Sequence, residues 1–329
     1  MHSKSNISME MTVDEIRRIV REHLPTCEDD PQISLLKGGL FNTTYKLTSK
    51  STGTAWVLRA GPVRRELLLP FEHRLMEAEC LVYDLMEERG IPCPRVTAAD
   101  FGKREIDRDY TIAEYIESVP LSDEAVPEFA KDELYEEAGR WTARLHAVEG
   151  TRFGRVSEFV QGGGDADWGR YLAAHVAEIG ESCLRFEIFD ESIVRRIVRA
   201  FAEHADLYRD VAVPRLVHAD LWGGNVLVRP SSAQDGSRYE LAAIIDADRA
   251  MFGDVDFEFA SPWMMNDAFL RGYGKDPRNG ADEMKIMSYK LIYALIDAYV
   301  WKVQYNNPAE SEQNARRTLE LLEKLERRK

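Results

Sequence analysis

Residues 218–225 read His218-Ala219-Asp220-Leu221-Trp222-Gly223-Gly224-Asn225, and Asp246 follows a run of apolar residues further on. Two carboxylates and a carboxamide make a set of hard oxygen donors. Such a set suits Mg²⁺, which takes oxygen ligands, keeps several waters and is usually shared with substrate phosphates. Asn225 and Asp246 are the expected metal ligands. Asp220 is then left to accept a proton from, or orient, an attacking hydroxyl. Groups with these separate tasks fit phosphoryl transfer, in which a protein mainly positions the reactants and neutralises charge.

The flanking residues explain how the three could meet. Residues 226–228 and 241–245 are β-branched and apolar, and read as two short strands. Between them, residues 230–237 carry Pro, Ser, Asp and Gly, the chemistry of a turn. The expected hairpin lays the start of the first strand beside the end of the second. Asn225 then sits next to Asp246, with Asp220 one loop away. Beyond them come Gly253, Asp254 and Glu258. Asp254 is expected to cap a helix or tie down a loop, and His218 to brace its own loop rather than move protons.

His-x-Asp-x-x-x-x-Asn followed by an Asp after a strand resembles the catalytic core of the protein-kinase-like fold. In the form found here, with Ile245-Asp246 and Gly253-Asp254 behind it, it is similar to the aminoglycoside phosphotransferase family, a group that includes choline, macrolide and fructosamine kinases. The Leu-Trp-Gly-Gly-Asn portion resembles the fructosamine kinase branch. Glu258 stands where the family usually has an aspartate.

The resemblance implies an α+β, two-lobed protein-kinase-like fold. Residues 1–116 would form an antiparallel β-sheet lobe that binds nucleotide. Residues 117–329 would form a mostly helical lobe for catalysis and substrate. It further implies ATP as co-substrate, with GTP not set aside, and Mg²⁺. In the first lobe, Gly38, Gly39 and Asn42 lie in a glycine turn between two strand-like runs, the place of the family's nucleotide loop. Glycines there let backbone approach a phosphate, although a plain hairpin turn looks the same. Arg59 occupies the position of the strand lysine that holds phosphates; guanidinium keeps the charge and can bind phosphate bidentately. Glu79, on a helix with Leu75, Ala78, Val82, Leu85 and Met86 along one side, would steady Arg59. Its alternative is a solvated glutamate among several. Glu114 and Tyr115 fall in the segment joining the lobes, where family members bind adenine through backbone groups.

The rest of the chain supplies elements and limits. Thr12 and Glu15 form a capping box ahead of a helix carrying Ile16, Ile19, Val20 and Leu24. Leu134, Ala138, Trp141, Leu145 and Val148 repeat at helical spacing and predict the core helix of the second lobe over 131–148. His146 is expected to be buried and hydrogen-bonded. The 329 residues allow two lobes with an ample core. The formal charge of −14 lies mostly beyond residue 116. That disfavours nucleic acid and anionic membrane, and suits a cationic small-molecule acceptor. The first residues lack the apolar core of a signal peptide, no apolar run is long enough to span a membrane, and the four cysteines are scattered, so a cytoplasmic protein is expected.

The expected function is phosphorylation of a hydroxyl on an aminoglycoside-like antibiotic or amino sugar. The alternatives are a fructosamine- or choline-type metabolite kinase, and an inactive nucleotide-binding scaffold. A protein kinase is disfavoured: the short stretch between Asp246 and Glu258 has no room for a long activation segment, and no Ala-Pro-Glu follows.

Overall fold

The computed structural model describes residues 5–24, 30–36, 39–231, 238–261, 266–276 and 282–327. The chain packs as two compact units. The first is Met1–Leu68, Pro94–Ile116 and Val303–Asn306, and the second is Leu69–Cys93, Glu117–Lys302 and Asn307–Lys329.

The first unit is one helix on one sheet. Helix α1 (Val13–His23) starts at the expected capping box: Thr12 Oγ1 accepts from the Glu15 N–H, and the Glu15 carboxylate accepts from the Thr12 N–H. Strands β1 (Gln32–Leu36), β2 (Thr43–Thr48), β3 (Ala55–Ala60), β4 (Val96–Asp100) and β5 (Tyr110–Glu114) pair antiparallel in the order β1-β2-β3-β5-β4. Alternate residues of β2 and β3 are buried, as a sheet with one covered face requires. Tyr45, Leu47, Trp56, Leu58 and Ile112 from that face meet Ile16, Ile19, Val20 and Leu24 from α1 in one core.

The second unit is mostly helical. Helix α2 (Leu75–Glu88) belongs to it, so a single cut after Ile116 does not describe the packing. The reason is visible in the burial of Leu75, Ala78, Val82 and Met86 and in the contacts of α2 with the turn Ala247–Arg249. The core helix α3 (Glu128–Leu145) begins one turn earlier than its apolar spacing suggested, and Trp141 is half-buried. Around it lie α4 (Val156–Phe159), α5 (Trp168–Arg185), α6 (Glu191–Glu203), α7 (Asp267–Tyr273), α8 (Glu283–Tyr299) and α9 (Pro308–Glu326).

Two small sheets frame the motif residues. Strands β9 (Val226–Pro230) and β10 (Tyr239–Ile244) form the expected hairpin, with β6 (Val119–Pro120) added at its edge. Strands β7 (Gly154–Arg155), β8 (Arg215–Val217) and β11 (Met251–Gly253) form the other, which was too short to show as a pattern. Among the described residues no helix is long and apolar enough to cross a membrane.

Helices α3 and α7 approach through glycine. A Cβ on Gly272 would sit on the Glu136 carbonyl oxygen, and one on Gly139 would overlap the Phe269 carbonyl. Backbone cannot yield as a flexible side chain does. We therefore expect Gly272→Ala to cost about 1–3 kcal/mol, the range for overpacking. At roughly 2–4 °C per kcal/mol in a unit of this size, calorimetry should show a clear fall in melting temperature. An unchanged midpoint would mean that the two helices do not cross backbone to backbone.

Candidate active site

The hairpin places Asn225 against the end of β10. Val226 pairs with Ile244, and the Ile245 N–H donates to the Asn225 carbonyl at 2.9 Å. Asp246 is the next residue. Asn225 Nδ2 donates to the Asp220 carbonyl at 2.8 Å and lies 3.4 Å from Asp220 Oδ2. Asp220, Asn225 and Asp246 therefore come together within the second unit, as their spacing predicted. Asn225 spends its amide nitrogen on Asp220, which leaves Oδ1 without a donor among the described residues.

The loop carrying Asp220 is held from three sides. His218 Nδ1 accepts from the Asp220 N–H at 3.3 Å, and Nε2 donates to the Ile245 carbonyl at 3.0 Å. These partners assign a proton to Nε2 and tie Asp220 to the residue before Asp246. His218 is thus the brace it was expected to be. Glu258 accepts from the His218 N–H at 2.8 Å through Oε2 and from the Ala219 N–H at 3.1 Å through Oε1. The Tyr293 hydroxyl donates to the Ala219 carbonyl at 3.2 Å. Ala219 has φ 62° and Asp246 φ 59°, both left-handed. A non-glycine residue holds such a conformation only when its surroundings over-determine it. At Ala219 both peptide groups are gripped.

Tyr83 does the same for Asp246. Its hydroxyl accepts from the Asp246 N–H at 3.2 Å and donates to Glu79 Oε1 at 2.7 Å. Glu79 is buried, not one solvated glutamate among several. The loop also needs its glycines: a Cβ on Gly224 would collide with the Trp222 ring.

Four acids surround one base. The Asp220 side chain reaches solvent, yet protein crowds the rest of it, and that desolvation pushes its pKa up to about 7. Arg249 opposes the rise; the charges of Asp246, Asp297 and Glu258 add to it. Asp297, on α8, is likewise pushed up to about 6, by burial first, with Arg249 opposing and Glu310 adding. Arg249 pairs with buried Glu72 at 2.7 Å. Arg249 and Asp297 were missed in the sequence. For Asp297 a signal existed: it is the lone charge in the apolar run LIYALIDAYV.

Other expected residues lie elsewhere. Asp254 is structural, as expected: it caps the turn Val255–Ala260, accepts from the Tyr289 hydroxyl at 2.8 Å and pairs with Lys285 at 2.6 Å. His146 is buried, 2.9 Å from the Tyr273 hydroxyl and 3.4 Å from Glu258. Gly39, Asn42, Arg59, Glu114 and Tyr115 are in the first unit, and Gly38 lies outside the described residues. Arg59 is on β3, opposite Thr44 and Thr111. Glu114 Oε1 accepts from the Arg95 N–H at 3.2 Å, and Lys46 Nζ sits 3.6 Å from the centre of the Tyr115 ring. Buried Asn42 has an Oδ1 with no hydrogen-bond partner among the described residues.

An antiparallel sheet unit, a mostly helical unit, and an Asp-Asn-Asp constellation on a loop and hairpin are the attributes of a kinase-like phosphotransferase. Comparison with known proteins agrees. Residues 32–286 match the model of the phosphotransferase enzyme family, and the chain belongs to that family. The mouse (Mus musculus) ketosamine-3-kinase is 33% identical over 99 residues, 27% of this chain. That match spans only 28% of the relative's length. Among solved structures, the aminoglycoside phosphotransferase APH(4)-Ia is similar with a TM-score of 0.65 and 19% identity, over 95% of this chain and 99% of that one. A Plasmodium vivax ethanolamine kinase is similar with a TM-score of 0.62 and 12% identity, over 93% and 86%. The fold is protein-kinase-like.

Glu258 should govern both stability and its pH dependence. Burial alone would raise its pKa. The hydrogen bonds from His146 and from the His218 N–H more than offset that, and its carboxyl ends below the ordinary value. Its contribution is therefore complete above the ordinary glutamate pKa of about 4.3 and is lost as pH falls through the depressed native value. Glu258→Ala leaves two backbone N–H groups without their acceptor, at about 1–3 kcal/mol each. Urea titrations should show that loss near neutral pH, shrinking as the wild type is acidified below about pH 4.3. Wild-type midpoints for Glu258→Ala would remove the clamp from the account.

Proposed function

We propose that the chain transfers the γ-phosphoryl group of ATP to a hydroxyl of an amino-bearing sugar, of the aminoglycoside or amino-sugar kind. The observation that carries this reading is the convergence of Asp220, Asn225 and Asp246. Asp220 Oδ2 is turned toward Asn225, leaving Oδ1 to take the hydroxyl proton and aim the oxygen at phosphorus.

The donor set fits Mg²⁺: a carboxamide oxygen with no donor of its own and a neighbouring carboxylate, beside acids that one arginine does not balance. Asn225 and Asp246 would hold the ion, which when bound neutralises phosphate charge. The first unit would supply nucleotide contacts, through Gly38, Gly39, Asn42 and Arg59 for phosphates and the Glu114–Tyr115 backbone for adenine. Asp297 supports a cationic acceptor, since a carboxylate kept near Asp220 by an apolar helix gives an ammonium group a partner. A ketosamine acceptor is the second reading. The 33% identity to the mouse enzyme and the Leu-Trp-Gly-Gly-Asn segment favour it.

ADP release should be measured with MgATP, and in parallel MgGTP, against aminoglycosides, macrolides, ketosamines, choline and simple amino sugars. Asp220→Asn should bind nucleotide normally but lose about 10²–10⁴ in turnover, the usual share of a general base. Turnover within a few-fold of wild type would refute the assignment of Asp220. Nucleotide binding with no turnover on any acceptor, in the wild type, would favour a scaffold.

The metal ligands have a separate test. Asp246→Ala should weaken MgATP by about tenfold or more, which corresponds to 1.4 kcal/mol, and leave metal-free ATP unchanged in calorimetric titrations. Equal losses with and without Mg²⁺ would count against Asp246 as a ligand.

A further inference from the structure

Behind the phosphotransfer residues, α4 and α5 hold a second group of ligating side chains that this function does not use. Glu158 comes from α4; His175 and Glu178 are one helical turn apart on α5. One ligand atom from each lies within 4.8 Å of the other two. His175 is only 2% exposed, and neither ring nitrogen has a hydrogen-bond partner among the described residues. A buried imidazole with both nitrogens unsatisfied is unusual and calls for a missing partner.

The partner's chemistry follows from what faces the ring. His175 Nδ1 points at Glu158 Oε1, 4.0 Å away, too far for a hydrogen bond. The other Glu158 oxygen, Oε2, accepts from the Arg155 N–H at 3.0 Å, and the Tyr171 hydroxyl also bonds the carboxylate, which is thereby anchored beside the ring. The ring is packed between Phe71, with centroids 5.2 Å apart, and Tyr171, stacked at 5.5 Å. It therefore cannot turn away. Burial, and the nearby charge of Arg155, hold the imidazole well below its ordinary pKa and keep it neutral, the form that binds metal.

We propose that Glu158, His175 and Glu178 form a site for a divalent first-row transition metal, with Zn²⁺ the best match to one imidazole and two carboxylates. Tetrahedral bonds of about 2.0–2.2 Å place two ligands about 3.4 Å apart. Glu158 and His175, at 4.0 Å, would close by about half an ångström on an ion. Glu178 is exposed, with its ligand atom within 4.8 Å of the other two. The ion would pin α5 to α4. The α4 segment in turn supports the Asp246 turn: Arg155 Nη1 donates to the Arg249 carbonyl at 2.6 Å, and the Val156 N–H donates to the Ala250 carbonyl at 3.0 Å. The site would thus be a structural clamp behind the phosphotransfer residues.

The test uses the full chain in excess Mg²⁺, which saturates hard oxygen sites, with Co²⁺ as a spectroscopic stand-in for Zn²⁺. One equivalent of Co²⁺ should bind with visible bands of a nitrogen-ligated ion, Zn²⁺ should displace it, and Zn²⁺ should raise the melting temperature. Glu178→Gln and His175→Phe should each weaken binding by more than the roughly 10–100-fold that even outer partners of a metal ligand cost. His175→Phe keeps the ring stack; should it fail to fold, the exposed Glu178→Gln decides alone. No uptake by the wild type, or unchanged affinity in Glu178→Gln, would overturn the site. Neither outcome bears on phosphotransfer, which is read separately by ADP release.

Discussion

Glu258 is the interaction on which the rest of the site depends. Two backbone N–H groups, of His218 and Ala219, converge on one carboxylate that is itself buried beside His146. Without that acceptor Ala219 keeps only the Tyr293 bond to its carbonyl to hold it at φ 62°, and the direction in which Asp220 leaves the loop is set by Ala219. A charged acceptor suits this task. Hydrogen bonds to an ionised group are about twice as strong as neutral ones, and the strain they must offset at such a residue is on the order of 1–3 kcal/mol. A glutamate also reaches one methylene further than an aspartate, so the clamp can tolerate a slightly deeper backbone without losing either bond.

The same region is electrostatically incomplete as a bare protein. Asp220 feels Asp246, Asp297 and Glu258, while Arg249, which opposes them, is already paired with Glu72. Two of these acids respond by rising toward neutrality, Asp220 to about 7 and Asp297 to about 6. Burial is the first cause in both, with Arg249 opposing and neighbouring acids adding. A dication at Asn225 and Asp246 and an ammonium group on the acceptor would each supply positive charge.

What was legible in the sequence was whatever is local. The Thr12 cap, the β9–β10 hairpin and the neighbourhood of Asn225 and Asp246 all follow from residues a few positions apart, and all are found. The structural parts of Asp254 and His146 were also legible. The supports were not. Glu258 reaches His218 across 40 positions, and Tyr83 reaches Asp246 across 163. No periodicity announces such partners. Helix α2 read correctly as a helix, but its amphipathic stripe could not say which unit it would join. Strands β7, β8 and β11 are two or three residues long, shorter than any alternation can show. Asp297 was the recoverable miss, since a single carboxylate in an apolar helix is costly unless it faces something.

The supports around Asp220 and Asp246 also explain how one loop and one hairpin can be held in register. Each left-handed residue is fixed by partners from helices that are otherwise independent: Tyr83 from α2 at Asp246, Tyr293 from α8 at Ala219. His218 then links the two fixed points through Ile245. A displacement of either helix would be felt at both carboxylates, because the histidine makes their positions a single variable. That coupling lies wholly within the second unit and runs through protein contacts at Asp220 and Asp246, the kind of preorganisation that transfer by positioning demands.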